Sequence, residues 1–592
     1  MVTGGGERRE ADRGAPRGCL IDPRRGDVED DASSTERHSL LRLAGSLLTE
    51  ISLPRLALSW LLLVALPGVL FGLSPLIASA WLKTLSRTVS AELNWLFLGL
   101  LAVLILALGY VGGRHLFRVV ERAFWGINAS ILQPGYALCR EGLRHLASAS
   151  PGRRHAMLQG AASVGAGLMV CGVGLLAALL AWPSTRWLGD VVDLASPQRL
   201  VVPALANTVV AVGAYIAAAA PVWGIADARM ASPRDLAPFD SQPGAGRRWR
   251  VAHLSDLHIV GERYGFRIES GRSGPRGNQR LVRTLDLLDA MHRAEPLDLV
   301  LITGDLTDAG RSSEFAELLD IVARYPRLAE VTLVTPGNHD LNIVDRANPA
   351  RLELPTSPGK RLRQMRTLSA IAAIQGERVR VVDRATRRLG TTLSGALAPH
   401  ARSIAAFADT ASLRLSLRLE PVWRDAFPMV RPPDTPDGLG VILLNSVAET
   451  SFSFTNALGL VAAEQASKLL AATRQFPQAR WIVALHHHLV EYPDAAKTLS
   501  ERIGTVLING SWFVRQLLPL GNRIVALHGH RHVDWAGECS GLRIVSAPSQ
   551  VMGAGDADSR WLRILTLAPG ADGQLCVAGS DRVEIPGDGA DA

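Results

Sequence analysis

WRVAHLSDLH, residues 249–258, is a short apolar run that ends in a carboxylate and an imidazole. Val251, Ala252 and Leu254 read as a buried strand. Asp256 and His258 follow at its end, and positions i and i+2 leave a strand on the same side. Such a pair is half of a site for a divalent ion that accepts both oxygen and nitrogen. Four later stretches repeat the pattern. Leu299 to Thr303 leads into Gly304, Asp305 and Asp308, and residues 331–334 lead into Gly337, Asn338, His339 and Asp340. WIVAL leads into His486, His487 and His488, and RIVAL into His528, Gly529, His530, Arg531 and His532. Segments 278–293, 312–325 and 462–476 have helical spacing, and 361–374 adds another helix. Strands alternating with helices give a layered α/β domain. In open α/β sheets ligands bind beyond the carboxyl ends of the strands. Five ligand-bearing strand ends are what a shared metal centre requires.

The ordered set D-x-H, GD-x-x-D, GNHD, HH and GH-x-H resembles the calcineurin-like metallophosphoesterase superfamily, from about Arg250 to Ser546. The resemblance implies a four-layer αββα sandwich over 248–570, with two mixed sheets packed together and metals at one edge. It also implies two divalent ions, with Mn, Fe or Zn matching the mixed ligands. Asp305 would bridge them; Asp256, His258 and His532 would complete one site, and Asn338, His486 and His530 the other. His339 matches the family's catalytic histidine, and Asp308 the carboxylate that orients it. The chain reads HHHL where the family usually shows HHP, so His486 and His487 compete for one ligand position; His486, first after the strand, is preferred. His528 is expected to pack, and Arg311 to lie on the surface. The implied chemistry is attack on a phosphoester by a hydroxide bridging the two ions, which neutralise charge and lower the pKa of water. ITGDLTDAGRSSEF is similar to cyclic-nucleotide phosphodiesterases of the superfamily, so a diester is favoured among cyclic nucleotides, nucleotides and lipid-linked phosphates.

Outward from this domain the composition changes. The chain has 592 residues, a formal charge of +8, 48% hydrophobic residues and 20% charged ones, a mixture suited to partial membrane residence. Residues 1–50 are mostly polar and are expected to form a disordered tail without a signal peptide. Residues 51–228 contain four long apolar runs, at about 56–82, 93–113, 161–188 and 200–225, uncharged except for Arg186 near the end of the third. Each matches the length needed to cross a hydrocarbon core, and tryptophans such as Trp60, Trp95 and Trp187 lie near their ends. An α-helical transmembrane bundle is therefore expected. Residues 229–247 read as a Pro- and Gly-rich linker, 571–592 as a polar tail, and 341–438 as an insertion that either caps the site or elaborates the surface. Cys19, Cys139, Cys171, Cys539 and Cys576 are scattered and form no zinc or disulfide pattern.

Arginines concentrate between the second and third runs and after the fourth, which places both termini and the phosphoesterase-like domain in the cytoplasm of a multi-pass inner-membrane protein. The runs lack charge in their cores, which favours an anchor or sensor over a transporter. Asn207 and Thr208 are the mild exceptions. No nucleic-acid partner is expected. A membrane-anchored phosphoester hydrolase is the leading expectation. The alternative is a membrane sensor that binds a nucleotide or phospho-ligand without turning it over, for which the loss of a ligand or of His339 would be expected; none is lost.

Overall fold

The computed structural model describes residues 19–23, 57–58, 60–92, 132–147, 153–236, 246–264, 278–345, 351–353, 357–493, 503–551, 561–570 and 573–586. Contacts divide the chain into two compact units, one within 51–230 and one that takes in the N-terminal stretch and most of 231–592.

The first unit is helical. Its described helices are α1 (Leu66–Glu92), α2 (Gln133–Ala147), α3 (Arg153–Ala181) and α4 (Val201–Ala228). Three helical stretches, Leu66–Ser86, Met157–Ser184 and Pro197–Ala228, are long and apolar enough to cross a membrane. They match the first, third and fourth apolar runs; the second lies outside the described residues. Helices α3 and α4 approach closely at glycines: a Cβ on Gly167 would sit 2.7 Å from the Ala220 carbonyl oxygen, and one on Gly213 2.6 Å from that of Gly174. Small residues let two backbones meet in this way. Asn207 and Thr208 also serve packing, since they donate to the carbonyls of Gly72 (3.1 Å) and Gly68 (2.5 Å) on α1.

The second unit contains two mixed sheets. One has five strands in the order β14 (Leu575–Glu584), β13 (Trp561–Pro569), β2 (Trp249–Leu254), β3 (Leu299–Thr303) and β4 (Thr332–Thr335). Within it β2, β3 and β4 are parallel neighbours. The other has nine strands, with β8 (Leu439–Leu443), β9 (Arg480–Ala484), β10 (Ile524–His528) and β12 (Leu542–Ser546) parallel at its centre. Residues from both sheets, among them Val251, Ile302, Ile482 and Val525, share one hydrophobic core. Helices α5 (Gln279–Ala294), α6 (Ser312–Val322) and α7 (Pro358–Gln375) contribute Leu288, Phe315 and Ile371 to it.

Four expectations change. Leu575–Glu584 is not a polar tail: β14 pairs antiparallel with β13, because its alternate apolar residues Leu575 and Val577 complete the sheet face. The linker is not free throughout, since β1 (Arg234–Asp235) pairs with β11 (Trp535–Cys539). The 341–438 stretch is part of the fold rather than an elaboration. Its helix α7 is buried, and its strands β5 (Arg380–Val382), β6 (Leu389–Thr392) and β7 (Met429–Arg431) extend the nine-stranded sheet. Gln375 at the end of α7 exchanges hydrogen bonds with Val334 N (2.6 Å) and O (3.1 Å), which pairs the open edge of β4. Finally, residues 19–23 of the expected tail dock on this unit. Ile21 joins the core, and the amides of Leu20 and Ile21 donate to Ser369 Oγ at 2.7 and 3.0 Å. Two apolar residues in a polar stretch suffice for that contact.

Candidate metal centre

The five parallel strands β2, β3, β4, β9 and β10 carry the five motifs at their carboxyl ends. The first sheet supplies Asp256, His258, Asp305 and Asn338; the second supplies His486, His530 and His532. The chain turns sharply as each strand ends. Asp256, His258, Asp305, His530 and His532 all have positive φ, between 41° and 76°. Side chains with a Cβ avoid this region, at a cost of about 1–3 kcal/mol each, and such residues collect at functional sites.

Donor atoms converge in two neighbouring groups. Asp305, His486 and His530 form one, and Asp256, His258 and His532 the other. A third group joins Asp305 and His258 to His339, so Asp305 stands between the two sides. In the first group His486 Nε2 lies 3.3 Å from Asp305 Oδ2, 3.1 Å from Asn338 Oδ1 and 3.1 Å from His530 Nδ1. In the second, His532 Nε2 lies 3.4 Å from both Asp256 Oδ1 and His258 Nε2. All seven residues are buried except His532, which is partly exposed.

Hydrogen bonds on the far side of each ring decide which nitrogen faces inward. His486 Nδ1 donates to the Thr303 carbonyl (2.8 Å) and His530 Nε2 to that of Thr505 (3.1 Å). A carbonyl can only accept, so the other nitrogen of each ring turns toward the centre. His486 Nε2, His530 Nδ1, Asn338 Oδ1 and Asp305 Oδ2 then face one another, ligand atoms gathered around one point where either a proton on His486 or a cation balances them. Asp256 Oδ1 is also buried without a hydrogen-bond partner. The donor set therefore fits divalent metal.

The electrostatics agree. Burial alone would raise Asp305, but His486, His339 and His258 hold its carboxyl well below the usual range. Burial, with neighbouring imidazoles, pushes His530 well below the ordinary imidazole value, and burial also lowers His258. These rings are therefore neutral, the form that binds metal. His486 is the exception: burial opposes its charge, yet Asp305 and Asp256 push it up to about 9. Carboxylates that can hold a proton there can hold a metal cation instead.

Beside the donors stands His339, half-buried, its Nδ1 donating to the Asp308 backbone carbonyl at 2.6 Å. Here the expected role of Asp308 is corrected. Its carboxylate faces His258 Nδ1 at 3.3 Å instead, because the side chain turns inward while the main chain passes under His339. His486 rather than His487 reaches the donor cluster. His487 accepts from Ser446 Oγ (3.0 Å) and packs its ring 4.3 Å from that of His530. Asp340, given little weight in the motif, is wholly buried and holds two motifs together. It accepts from Leu306 N (3.2 Å), Thr307 N (2.9 Å), Thr307 Oγ1 (2.7 Å) and Gly337 N (2.8 Å). The last residue of GNHD was the only sign of this in the sequence.

Residues 250–397 match the family model described as calcineurin-like phosphoesterase. That segment is a calcineurin-like phosphoesterase domain, and the class of enzyme it defines is a metal-dependent phosphoesterase. The match holds the carboxylate-bearing motifs and ends before the histidine motifs at 486 and 528–532. Among solved structures, similarity is found to a 5'-nucleotidase from Staphylococcus aureus in complex with alpha-ketoglutarate, at 14% identity and a TM-score of 0.31, over 58% of this chain and 55% of that one. The chain thus spans about half the length of that relative. A dimetal phosphatase from Danio rerio is 12% identical with a TM-score of 0.31, over 57% of this chain and 99% of that one. PhoD is 11% identical with a TM-score of 0.31, over 59% and 70%. A comparison with curated proteins gave no match.

Proposed function

We propose that the protein is a membrane-anchored, dinuclear-metal phosphoester hydrolase that favours diesters and works at the cytoplasmic face. The observation that carries the reading is the convergence of metal-ligating side chains on both sides of Asp305. Asp305 would be shared between two ions; Asp256, His258 and His532 would hold one, and Asn338, His486 and His530 the other. The bound ions supply charge neutralisation for the ester and an activated water. His339, oriented by the Asp308 carbonyl, presents Nε2 to the phosphoryl group or the leaving oxygen and donates a proton there. Asp308 fixes the His258 ring through Nδ1. Manganese, iron or zinc suits this ligand set, and cyclic-nucleotide or lipid-linked diesters are the substrates favoured. The three apolar helices support the membrane anchor.

The test uses the full chain in detergent micelles with added manganese, on bis(p-nitrophenyl) phosphate and p-nitrophenyl phosphate, beside His339→Ala. Diester turnover that disappears in the variant is expected. Monoester turnover alone would make it a phosphatase. No turnover from folded, metal-loaded protein would favour the sensor reading.

A further inference from the structure

Helices α8 (Ala401–Thr410) and α9 (Leu413–Ala426) form a hairpin on the surface of the second unit. Each buries one face: Ile404 and Phe407 on α8, Ser416, Leu419, Trp423 and Ala426 on α9. The other face of α9 is unusual for a soluble surface. Leu413 is 54% exposed and Leu417 57%, one helical turn apart, with exposed Pro421 continuing the stripe. Arg414 and Arg418, both exposed, run alongside at the same spacing. Nothing in the metal centre uses any of these residues.

Charge decides what this stripe fits. Arg424 is answered by Glu420 at 3.0 Å, and Asp425 faces Lys468 at 3.9 Å. Arg402, Arg414 and Arg418 then remain on the two helices against the single acid Asp409. Leucines flanked by uncompensated arginines are the pattern of a helix lying in a membrane interface, with apolar side chains among the acyl chains and guanidinium groups at the phosphates. A second copy of the chain fits worse, because a two-fold contact through the leucines would bring Arg414 and Arg418 of both copies together. The same chain carries three helices of membrane-crossing length, and only Arg229–Pro233 separates the end of α4 from β1. With those helices in a membrane, as proposed above, a bilayer is present at high effective concentration.

We propose that the α8–α9 hairpin docks on an anionic phospholipid surface, with Leu413 and Leu417 inserted and Arg402, Arg414 and Arg418 on the headgroups. This is a contact of the phosphoesterase unit itself, additional to the apolar helices, and it does not depend on the reaction proposed above.

The experiment uses the full chain in nanodiscs, one copy each, made either of phosphatidylcholine or of three parts phosphatidylcholine to one part phosphatidylglycerol. A Leu417→Cys variant is alkylated with a water-soluble maleimide, and modification of that residue is read by peptide mass so that the native cysteines do not interfere. The proposal predicts alkylation at least tenfold slower in the anionic discs than in the neutral ones. Adding Arg414→Gln and Arg418→Gln should restore the fast rate, as should high salt. Metal content, measured in parallel, should be unchanged in every variant. Equal rates in the two discs would overturn the proposal, as would protection seen only in a parallel preparation that holds two copies per disc. A rate indifferent to the arginine changes would overturn the assignment to anionic headgroups.

Discussion

Replacing Gly337 with alanine tests the geometry of the centre without removing a donor atom. A Cβ at this position would lie 2.1 Å from Asp305 N and 2.2 Å from Asp305 Oδ1. Ordinary contact begins near 3.4 Å, so the methyl lacks about 1.3 Å (3.4 less 2.1) of room. The obstacle is backbone and a buried carboxylate, neither of which can swing aside. The backbone at Gly337 (φ −112°, ψ 179°) suits alanine, so strain of conformation is not the issue. The loops that carry Asp305 and Asn338 must therefore separate. Overpacking of this kind costs about 1–3 kcal/mol of stability. The larger effect is on the centre, since metal sites tolerate about 0.2 Å of misplacement and a shift of about 1 Å can cost on the order of a hundredfold in rate. Metal content by mass spectrometry, thermal unfolding and turnover of a diester should all be measured. Expected are loss of at least one ion and a rate down by about a hundredfold or more, from a protein still folded. Full metal content and full activity in Gly337→Ala would refute the placement of Asp305 against Gly337.

Other consequences follow from the same contacts. In protein stripped of metal, His486 is pushed up to about 9. A raised folded-state pKa stabilises the fold fully below the ordinary imidazole value of about 6.5 and ceases to do so as pH rises through about 9, for a change of up to about 3 kcal/mol. Denaturation midpoints of chelated protein should fall over that window, and restored metal should remove the dependence. Asp308→Ala leaves the carbonyl that holds His339 but removes the carboxylate facing His258. Metal affinity should drop about 10–100-fold by calorimetry; an effect on rate without one on affinity would contradict the corrected role. Gln375→Leu leaves Val334 N and O unpaired at the β4 edge, and urea unfolding should show a loss of about 1–3 kcal/mol.

The strand ends were legible because each apolar run stops at a residue that an apolar core would not place there. Leu299–Thr303 matched β3 to the residue, and 331–334 missed β4 by one. The residues whose side chains converge at those strand ends were legible for the same reason. What the sequence hid lies in backbone atoms and in remote pairing. The carbonyls of Thr303, Thr505 and Asp308 orient three histidines, and a carbonyl leaves no trace in residue identity. Asp308 does meet His339, but through its main-chain carbonyl, while the carboxylate expected there lies beside His258: side chain and main chain of one residue serve different rings. Helix α7 looked like part of an insertion because Lys360, Arg361, Arg363 and Arg366 give it a surface composition, yet all four are buried. Arg363 pairs with Glu353, and Lys360 donates to the Thr450 carbonyl at 3.1 Å. Strand β14 was missed because its second half is exposed and polar, and only pairing with β13 fixes it.

The most direct measurement is the electron paramagnetic resonance spectrum of the full chain loaded with manganese, with Asp305→Asn beside it. A carboxylate that bridges two ions about 3.5–4 Å apart couples their spins. The account predicts two ions per chain with a coupled spectrum in the wild type, collapsing to an uncoupled signal in the variant. One ion per chain, or coupling that survives loss of the Asp305 carboxylate, would contradict it.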